Sequence, residues 1–399
     1  MWRVVEILEA TTGGTRKHLL DLVFHLDRSR FEVEVIVSPR RYRGFAADMQ
    51  RMQAAGIPVH VVPMQREIAL WDDLRAFWRI WDLLRRGGYD IVHTHSAKAG
   101  ILGRFAAWLT GVPVILYTPH AFPFFMQVGR RRRWLYLALE WLAAKITTRL
   151  IAVSEGERQA ALARHICEPE RIVTIENGLS PTAFNPAAEG TALRQRLGLR
   201  EEHFVIGTVG QLVRQKGDRY LIEAAPRILH ALPQARFLLV GTGPKESLLR
   251  ELAQRWGVAE AVIFAGHQEE VEPFYAAFDL FVLPSLWEGC PYALLEAMQM
   301  AKPVVATRIA GSADIVVDDN TGWLVPPGDS AALARAIIAL AQDPQRRHRM
   351  GERGRQRVLT HFTLERMIRR TEDLYETLAR PIESATPSSL LRHRGTREK

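Results

Sequence analysis

Two carboxylates flank one turn in the stretch Glu288-Gly-Cys-Pro-Tyr-Ala-Leu-Leu-Glu296. The apolar run Leu280-Phe-Val-Leu283 precedes them and reads as a buried strand of a parallel sheet. A Pro/Gly turn then leads into Ala293-Leu-Leu-Glu-Ala-Met298, which reads as the first turns of a helix. Open α/β sheets bind ligands at the carboxyl ends of their strands. A helix N-terminus there attracts anions through its N–H groups. Carboxylates beside such a terminus suit a ligand carrying both hydroxyls and phosphates, such as a nucleotide sugar. The plain alternative is two surface glutamates. A second cluster follows the strand ending Gly207-Thr-Val-Gly210, where Gln211, Arg214 and Lys216 precede Gly217 and a helix. Cations at that strand end can neutralise a diphosphate leaving group; otherwise they are a solvated loop. Gly13-Gly14 marks another strand-to-helix turn, where backbone N–H groups can approach a ligand closely. Gly241-Thr-Gly-Pro244 lacks the remainder of a dinucleotide fingerprint and reads as a glycine turn.

Histidines recur at strand ends. His93 and His95 close one apolar run, and a spacing of two there can serve a metal, yet no carboxylate or cysteine lies near them in sequence. His120, in Tyr117-Thr-Pro-His-Ala-Phe122, follows another strand and is expected to face a cleft. A lone histidine is more often structural. Asp-x-Asp occurs nowhere, which removes the usual cue for a divalent ion on a nucleotide diphosphate. No metal and no cofactor is expected; a diphosphate would be held by cations and helix N-termini.

Strand-like and helix-like segments alternate along the chain ahead of its tail. Seven strand patterns lie before residue 180 and six after 202, too many for one comfortable sheet. The expected architecture is α/β, with two doubly wound domains facing a central cleft. The boundaries predicted are 1–179 for the first domain, 180–202 for a Pro/Gly-containing linker and 203–360 for the second domain. A helix over 361–380 then crosses back to the first domain, and a disordered tail fills 381–399. Cys167 and Cys290 alone imply no disulfide framework. No apolar run approaches the ~20 residues of a membrane span, and no signal peptide is recognised. A cytoplasmic protein is expected, with any membrane contact peripheral. The net charge of +9 is uneven: residues 1–180 hold 25 Lys/Arg against 18 Asp/Glu. One half therefore suits an anionic partner, whether nucleic acid, anionic bilayer or lipid diphosphate.

These motifs together resemble glycosyltransferase family 4, whose members have the two-domain GT-B fold and retain anomeric configuration. The resemblance spans Arg3 to Leu378. Its most specific part is Pro284-Ser-Leu-Trp-Glu-Gly-Cys-Pro-Tyr-Ala-Leu-Leu-Glu-Ala-Met298, continuing through Lys302-Pro-Val-Val-Ala306, Asp314-Ile-Val316 and Thr321–Gly328. Gly13-Gly14, Ala152-Val-Ser154, Glu176-Asn-Gly178 and Lys216-Gly217 support it, and His93–Gly103 looks like members that build bacterial surface polysaccharides. The resemblance implies that Glu296 binds the nucleotide ribose and that Glu288 lies near the donor sugar. Backbone around Cys290, Pro291, Tyr292, Ala293 and Leu294 would meet sugar and phosphates. Lys216 would contact the diphosphate, with Gly13-Gly14 approaching from the other domain. His120 would lie near the reacting sugar, and Gly266-His267 beside the nucleobase. His120, Glu288 and Lys216 are thus the expected catalytic set. Two departures stand out: Gln211 replaces a frequent arginine, with Arg214 as a substitute cation, and Pro291 removes one N–H donor.

The reading is a transferase moving a sugar from a nucleoside diphosphate donor, UDP preferred, to a glycan or polyprenyl-diphosphate-linked hydroxyl. Arg130, Arg131, Arg132, Arg133 and Trp134 open an aromatic-rich helix pattern that suits an anionic membrane surface, on the cytoplasmic face of the inner membrane. The alternative there is that Leu135, Leu139 and Leu142 are core. Competing readings are an epimerase or phosphorylase of the same fold, a catalytically silent partner subunit, and a nucleic-acid-binding protein. The last lacks any recognised DNA or RNA module.

Overall fold

A computed structural model describes residues 1–380 except Arg43, Arg66 and Gln127. The tail expected over 381–399 lies outside the described residues. The first sheet contains β1 (Trp2–Leu8), β2 (Phe31–Val37), β3 (Val59–Val61), β4 (Ile91–His95), β5 (Val114–Thr118), β6 (Arg149–Ala152) and β7 (Ile172–Thr174). Its strand order is β3-β2-β1-β4-β5-β6-β7. The second contains β8 (Phe204–Val209), β9 (Ala235–Val240), β10 (Val262–Gly266), β11 (Leu280–Leu283), β12 (Val304–Thr307) and β13 (Trp323–Val325), in the order β10-β9-β8-β11-β12-β13. The pairings are parallel. Val, Ile and Leu dominate these strands because helices cover both faces; Val4, Val5, Ile7 and Leu8 of β1 are all fully buried.

Strand order reverses between β1 and β4 in one sheet and between β8 and β11 in the other. At such a reversal the neighbouring crossovers run to opposite faces, leaving a crevice at the strand carboxyl ends. The loops after β8 and β11 carry Lys216 and Glu288, while His95 ends β4.

The linker is shorter than 180–202. The helix Thr191–Arg196 occupies it, and Leu193 and Leu199 are buried with Phe274, Tyr275 and Phe278 of the second domain. Gly190 fits there because a Cβ would lie 2.5 Å from Ala277 Cα. At its other end the second domain closes with the helix Pro344–His361. The helix Leu364–Ala379 then packs Leu364, Met367, Ile368 and Tyr375 into the core of the first sheet. The two chain crossings lie side by side: Leu179 N–H donates to Phe362 O at 2.9 Å, and Leu364 N–H to Leu179 O at 2.9 Å. That two-stranded strap is the natural hinge for domain motion.

Candidate active site

In the second domain, a buried polar knot forms where β8 and β11 diverge. Lys216 sits on the 3-10 turn Arg214–Lys216, before Gly217 at φ 69°. Glycine is required at 217 because a Cβ would lie 2.1 Å from Pro284 O. Lys216 Nζ donates to Glu288 Oε1 at 2.7 Å. Ser285 Oγ donates to the same oxygen at 2.9 Å, and Gln215 Nε2 to Glu288 Oε2 at 3.1 Å. Glu288 is 7% exposed, so these donors take the place of water. Asp218 starts the next helix, and burial, resisted by nearby Lys216, raises its carboxyl to about 7. Glu296 lies on the helix Tyr292–Gln299 and is buried, which raises its pKa; Tyr275 OH opposes this by donating to Oε2 at 2.8 Å. Pro291 is the N-cap of that helix. Burial likewise raises the Cys290 thiol, so it is no nucleophile at neutral pH.

In the first domain, β1 and β4 place Glu6 opposite His93. Glu6 Oε2 accepts from His95 Nε2 at 2.6 Å, and Oε1 from Tyr375 OH at 2.8 Å. His93 joins Tyr375 OH at 2.6 Å through Nδ1 and Thr118 Oγ1 at 2.7 Å through Nε2. His95 Nδ1 lies 3.1 Å from His120 Nε2. His18 packs edge-on against His120 and meets Asn177 Oδ1 at 2.9 Å. Burial pushes the Glu6 carboxyl up, but His93 and His95 outweigh it and hold it well below the usual range. Burial, reinforced by the neighbouring imidazoles, lowers His18 to about 3 and His95 to about 4, and His120 well below its ordinary value. The shifts of all three rings favour their neutral form. His18, His95 and His120 form one trio, and Glu6, His93 and His95 another, with side-chain atoms close enough for a cation. The hydrogen bonds above account for the short contacts of Glu6, His93 and His95 without one.

His120 and Ala121 have φ of 53° and 89°, strained values for residues with a Cβ. Glu157 holds that turn: Oε1 accepts from Ala121 N–H at 2.8 Å and Oε2 from Val153 N–H at 2.9 Å. Burial raises Glu157 to about 7 against these bonds.

The halves touch across the cleft. Gly14 faces Tyr292, where a Cβ would lie 3.1 Å from Cδ2, and Lys17 Nζ stands 5.4 Å from the Tyr292 ring centre. Tyr292 OH donates to Asp21 at 3.4 Å, and Asn177 Nδ2 to Cys290 O at 2.8 Å. Gly289 abuts the His120 turn so closely that a Cβ would lie 2.9 Å from Ala121 N. Tyr42 OH meets His267 Nε2 at 3.1 Å, beside Gly266 at φ 72°.

The structure thus brings His120, Glu288, Lys216, Glu296, Gly14 and Tyr292 to one cleft. Gln211 and Arg214 are exposed beside it. Arg130 to Arg133 and Trp134 are exposed on the separate helix Arg130–Lys145. The core alternative for that helix fails at two positions: Leu135 and Leu142 are 46% and 48% exposed. Its buried side carries Glu140, whose Oε2 accepts from fully buried Arg104 at 2.9 Å. Sequence reasoning missed Glu6, His18, Glu157, Asn177, Gln215 and Tyr375. It also found no carboxylate for His93 and His95; β1 supplies one through strand pairing. A lone charge inside Val4-Val-Glu-Ile-Leu8 was the available signal for Glu6.

The family described as "Glycosyl transferase 4-like domain" matches residues 13–178, and "Glycosyl transferases group 1" matches 190–357. The chain is 33% identical over 317 residues to the UDP-Gal:alpha-D-GlcNAc-diphosphoundecaprenol alpha-1,3-galactosyltransferase of Escherichia coli, covering 78% of this chain and 81% of that protein. It is 29% identical to the capsular polysaccharide biosynthesis glycosyltransferase CapM of Staphylococcus aureus, covering 81% and 86%. Anabaena HepE, solved in complex with UDP and glucose, superposes with a TM-score of 0.80 at 22% identity, covering 94% of this chain and 100% of that one. The chain belongs to glycosyltransferase family 4, has the GT-B fold, and is a glycosyltransferase.

Proposed function

We propose that this enzyme transfers a sugar, with retention of configuration, from a UDP-sugar to a hydroxyl of a polyprenyl-diphosphate-linked glycan during surface-polysaccharide assembly, without a metal. The observation that carries the donor half is the Lys216–Glu288 contact at the β8/β11 divergence. Breaking the sugar C1–O bond leaves negative charge on the departing diphosphate. Lys216 supplies a fixed positive charge there, in a site shielded from water. Glu288 orients that ammonium and stands where the sugar would sit. Glu296 has one oxygen satisfied by Tyr275, which leaves the other for ribose hydroxyls. The acceptor enters from the first domain, where His120 faces Gly289. The named galactosyltransferase relative acts, by its title, on a diphosphoundecaprenol substrate, which supports this acceptor class.

Thermal unfolding with UDP, GDP and ADP, each with and without EDTA, tests the reading. At 100 times its dissociation constant a ligand stabilises by ~2.7 kcal/mol, a shift of several degrees. UDP should shift the midpoint with EDTA present. A shift only with another nucleotide would replace the donor; none with any would remove all three nucleoside diphosphates as the donor's carrier. A UDP effect abolished by EDTA would overturn metal independence.

The acceptor's lipid calls for a surface. Leu70, Trp71 and Trp78 on the helix Leu70–Gly87, Trp108 on Ala97–Thr110, and Trp134 and Trp141 on Arg130–Lys145 are all exposed. The helix Ala97–Thr110 packs against each of the other two. Arg130 to Arg133 add four exposed cations, each worth ~1 kcal/mol near anionic lipid. Among the described residues no helix is long and apolar enough to cross a membrane. We expect sedimentation with phosphatidylglycerol vesicles, weak binding to phosphatidylcholine, and loss of most binding when Arg130 to Arg133 become Gln. Equal binding to both lipids, or none, would remove the membrane from the proposal.

A further inference from the structure

We infer that Glu6 and His95 are positioning residues that fix the tautomer of His120, so that His120 Nδ1 accepts a hydrogen bond from a substrate hydroxyl. The substrate part rests on the transferase reading above; the tautomer part rests on the contact geometry together with an ionised Glu6 and a neutral His95.

The proton positions follow from what each partner can do. An ionised carboxylate only accepts. Glu6 Oε2, 2.6 Å from His95 Nε2, therefore places that ring's proton on Nε2. A neutral His95 then has a lone pair on Nδ1. His120 Nε2 lies 3.1 Å from it and must donate, which leaves the lone pair of His120 on Nδ1. The surroundings agree. Tyr375 OH donates to Glu6 Oε1 at 2.8 Å, so its oxygen accepts the His93 Nδ1 proton at 2.6 Å. Thr118 Oγ1 then donates to His93 Nε2 at 2.7 Å. His93 thus has no unpaired lone pair to compete for the His120 proton. Asn177 donates through Nδ2 to Cys290 O, so its Oδ1 accepts from His18 Nδ1.

Burial makes this chain a lock. Glu6, His93, His95 and Tyr375 are each no more than 1% exposed, so water cannot substitute for a missing partner. His120 keeps partial exposure and abuts Gly289 of the other domain. Its backbone is held in a strained turn by Glu157, so ring and main chain are fixed by separate carboxylates. A hydrogen-bond chain of this kind orients the last ring as a carboxylate behind a metal-bound or catalytic histidine does; loss of such a partner typically costs roughly 10- to 100-fold.

The first measurement is the 15N spectrum of histidine-labelled wild-type protein at pH 7, with His120 assigned by a His120→Gln spectrum. The expected pattern is Nε2–H with an unprotonated Nδ1. An Nδ1–H tautomer or an imidazolium would overturn the proposal without any variant of Glu6. In Glu6→Gln the amide can donate to His95 and reverse the chain. His120 should then show Nδ1–H, and kcat should fall roughly 10- to 100-fold with donor KM within about threefold. Tyr375→Phe leaves the Glu6–His95 contact and should keep the wild-type tautomer. Equal effects from both variants on spectrum and kcat would make the cluster mere packing and end the proposal. So would a spectrum that zinc alters together with restored activity after EDTA, which would assign the trio to a cation. UDP stabilisation reads the donor site separately: if it fails while the tautomer reverses in Glu6→Gln, the UDP-donor reading falls and the lock stands.

Discussion

Lys216→Ala is expected to lower kcat for sugar transfer by roughly 10²- to 10³-fold, the usual effect of removing one preorganised charge-stabilising donor. Two effects must be separated. The variant also strips Glu288, which is 7% exposed, of its cation, leaving Ser285 and Gln215 as donors. A buried carboxylate so exposed to loss is destabilised, and some activity could vanish because Glu288 moves or takes up a proton. The double variant Lys216→Ala/Glu288→Gln decides. If Lys216 only neutralises Glu288, removing both charges restores folding stability and much of the rate. If Lys216 stabilises the leaving diphosphate, stability recovers while transfer stays depressed. We expect the second result, together with weaker UDP stabilisation in both variants. Recovery of transfer in the double variant to within about tenfold of wild type would reduce Lys216 to a structural counter-ion.

The unit proposed to bind the donor was legible because its residues are local in sequence. Glu288, Cys290 to Leu294 and Glu296 lie on one strand-turn-helix unit, and strand periodicity located that unit correctly. Lys216 follows the neighbouring strand, and the β8/β11 reversal brings it over. The first-domain histidine cluster was less legible. Glu6 and His95 are 89 positions apart and meet only through β1–β4 pairing, and Tyr375 arrives after the chain has built a whole second domain. Nothing in either local sequence signals that meeting beyond one charge inside an apolar strand. The helix Arg130–Lys145 allowed two readings, and the structure decides against the core one at Leu135 and Leu142. Its leucines suggest a core face, yet the Arg104–Glu140 pair anchors it and leaves Leu135 and Leu142 outward. A buried ion pair inverts the hydrophobic pattern that periodicity relies upon. The linker misjudgement is similar in kind: Pro and Gly marked a break, but Leu193 and Leu199 belong to the following core.

Gly289→Ala is the second large effect expected, roughly 10²-fold on kcat with UDP affinity changed by less than about threefold. Gly289 does not have a positive φ, so alanine is acceptable to its own backbone. The obstacle is space across the cleft: a Cβ would lie 2.7 Å from Val153 Cγ2, 2.9 Å from Ala121 N and 3.1 Å from His120 C. All three belong to the first domain. The turn there cannot retreat cheaply, because His120 and Ala121 already hold strained φ values and Glu157 clamps the Ala121 and Val153 N–H groups. Behind Gly289, its own oxygen stands where a Cβ on Gly311 would come within 2.1 Å, so that side is packed as well. Relief therefore comes at the hinge beside Leu179 and Phe362, where the domains can open by a fraction of an ångström to an ångström. The nucleotide groups on the second domain keep their mutual geometry and still bind UDP. The sugar carbon and the acceptor hydroxyl, held by opposite domains, no longer reach bonding distance, and water gains entry. Retained UDP stabilisation with lost transfer is the signature of that opening. Transfer within threefold of wild type would show that closure tolerates the methyl and that the His120 turn does not set the reacting geometry. Loss of UDP binding as well would place the damage in the second domain itself.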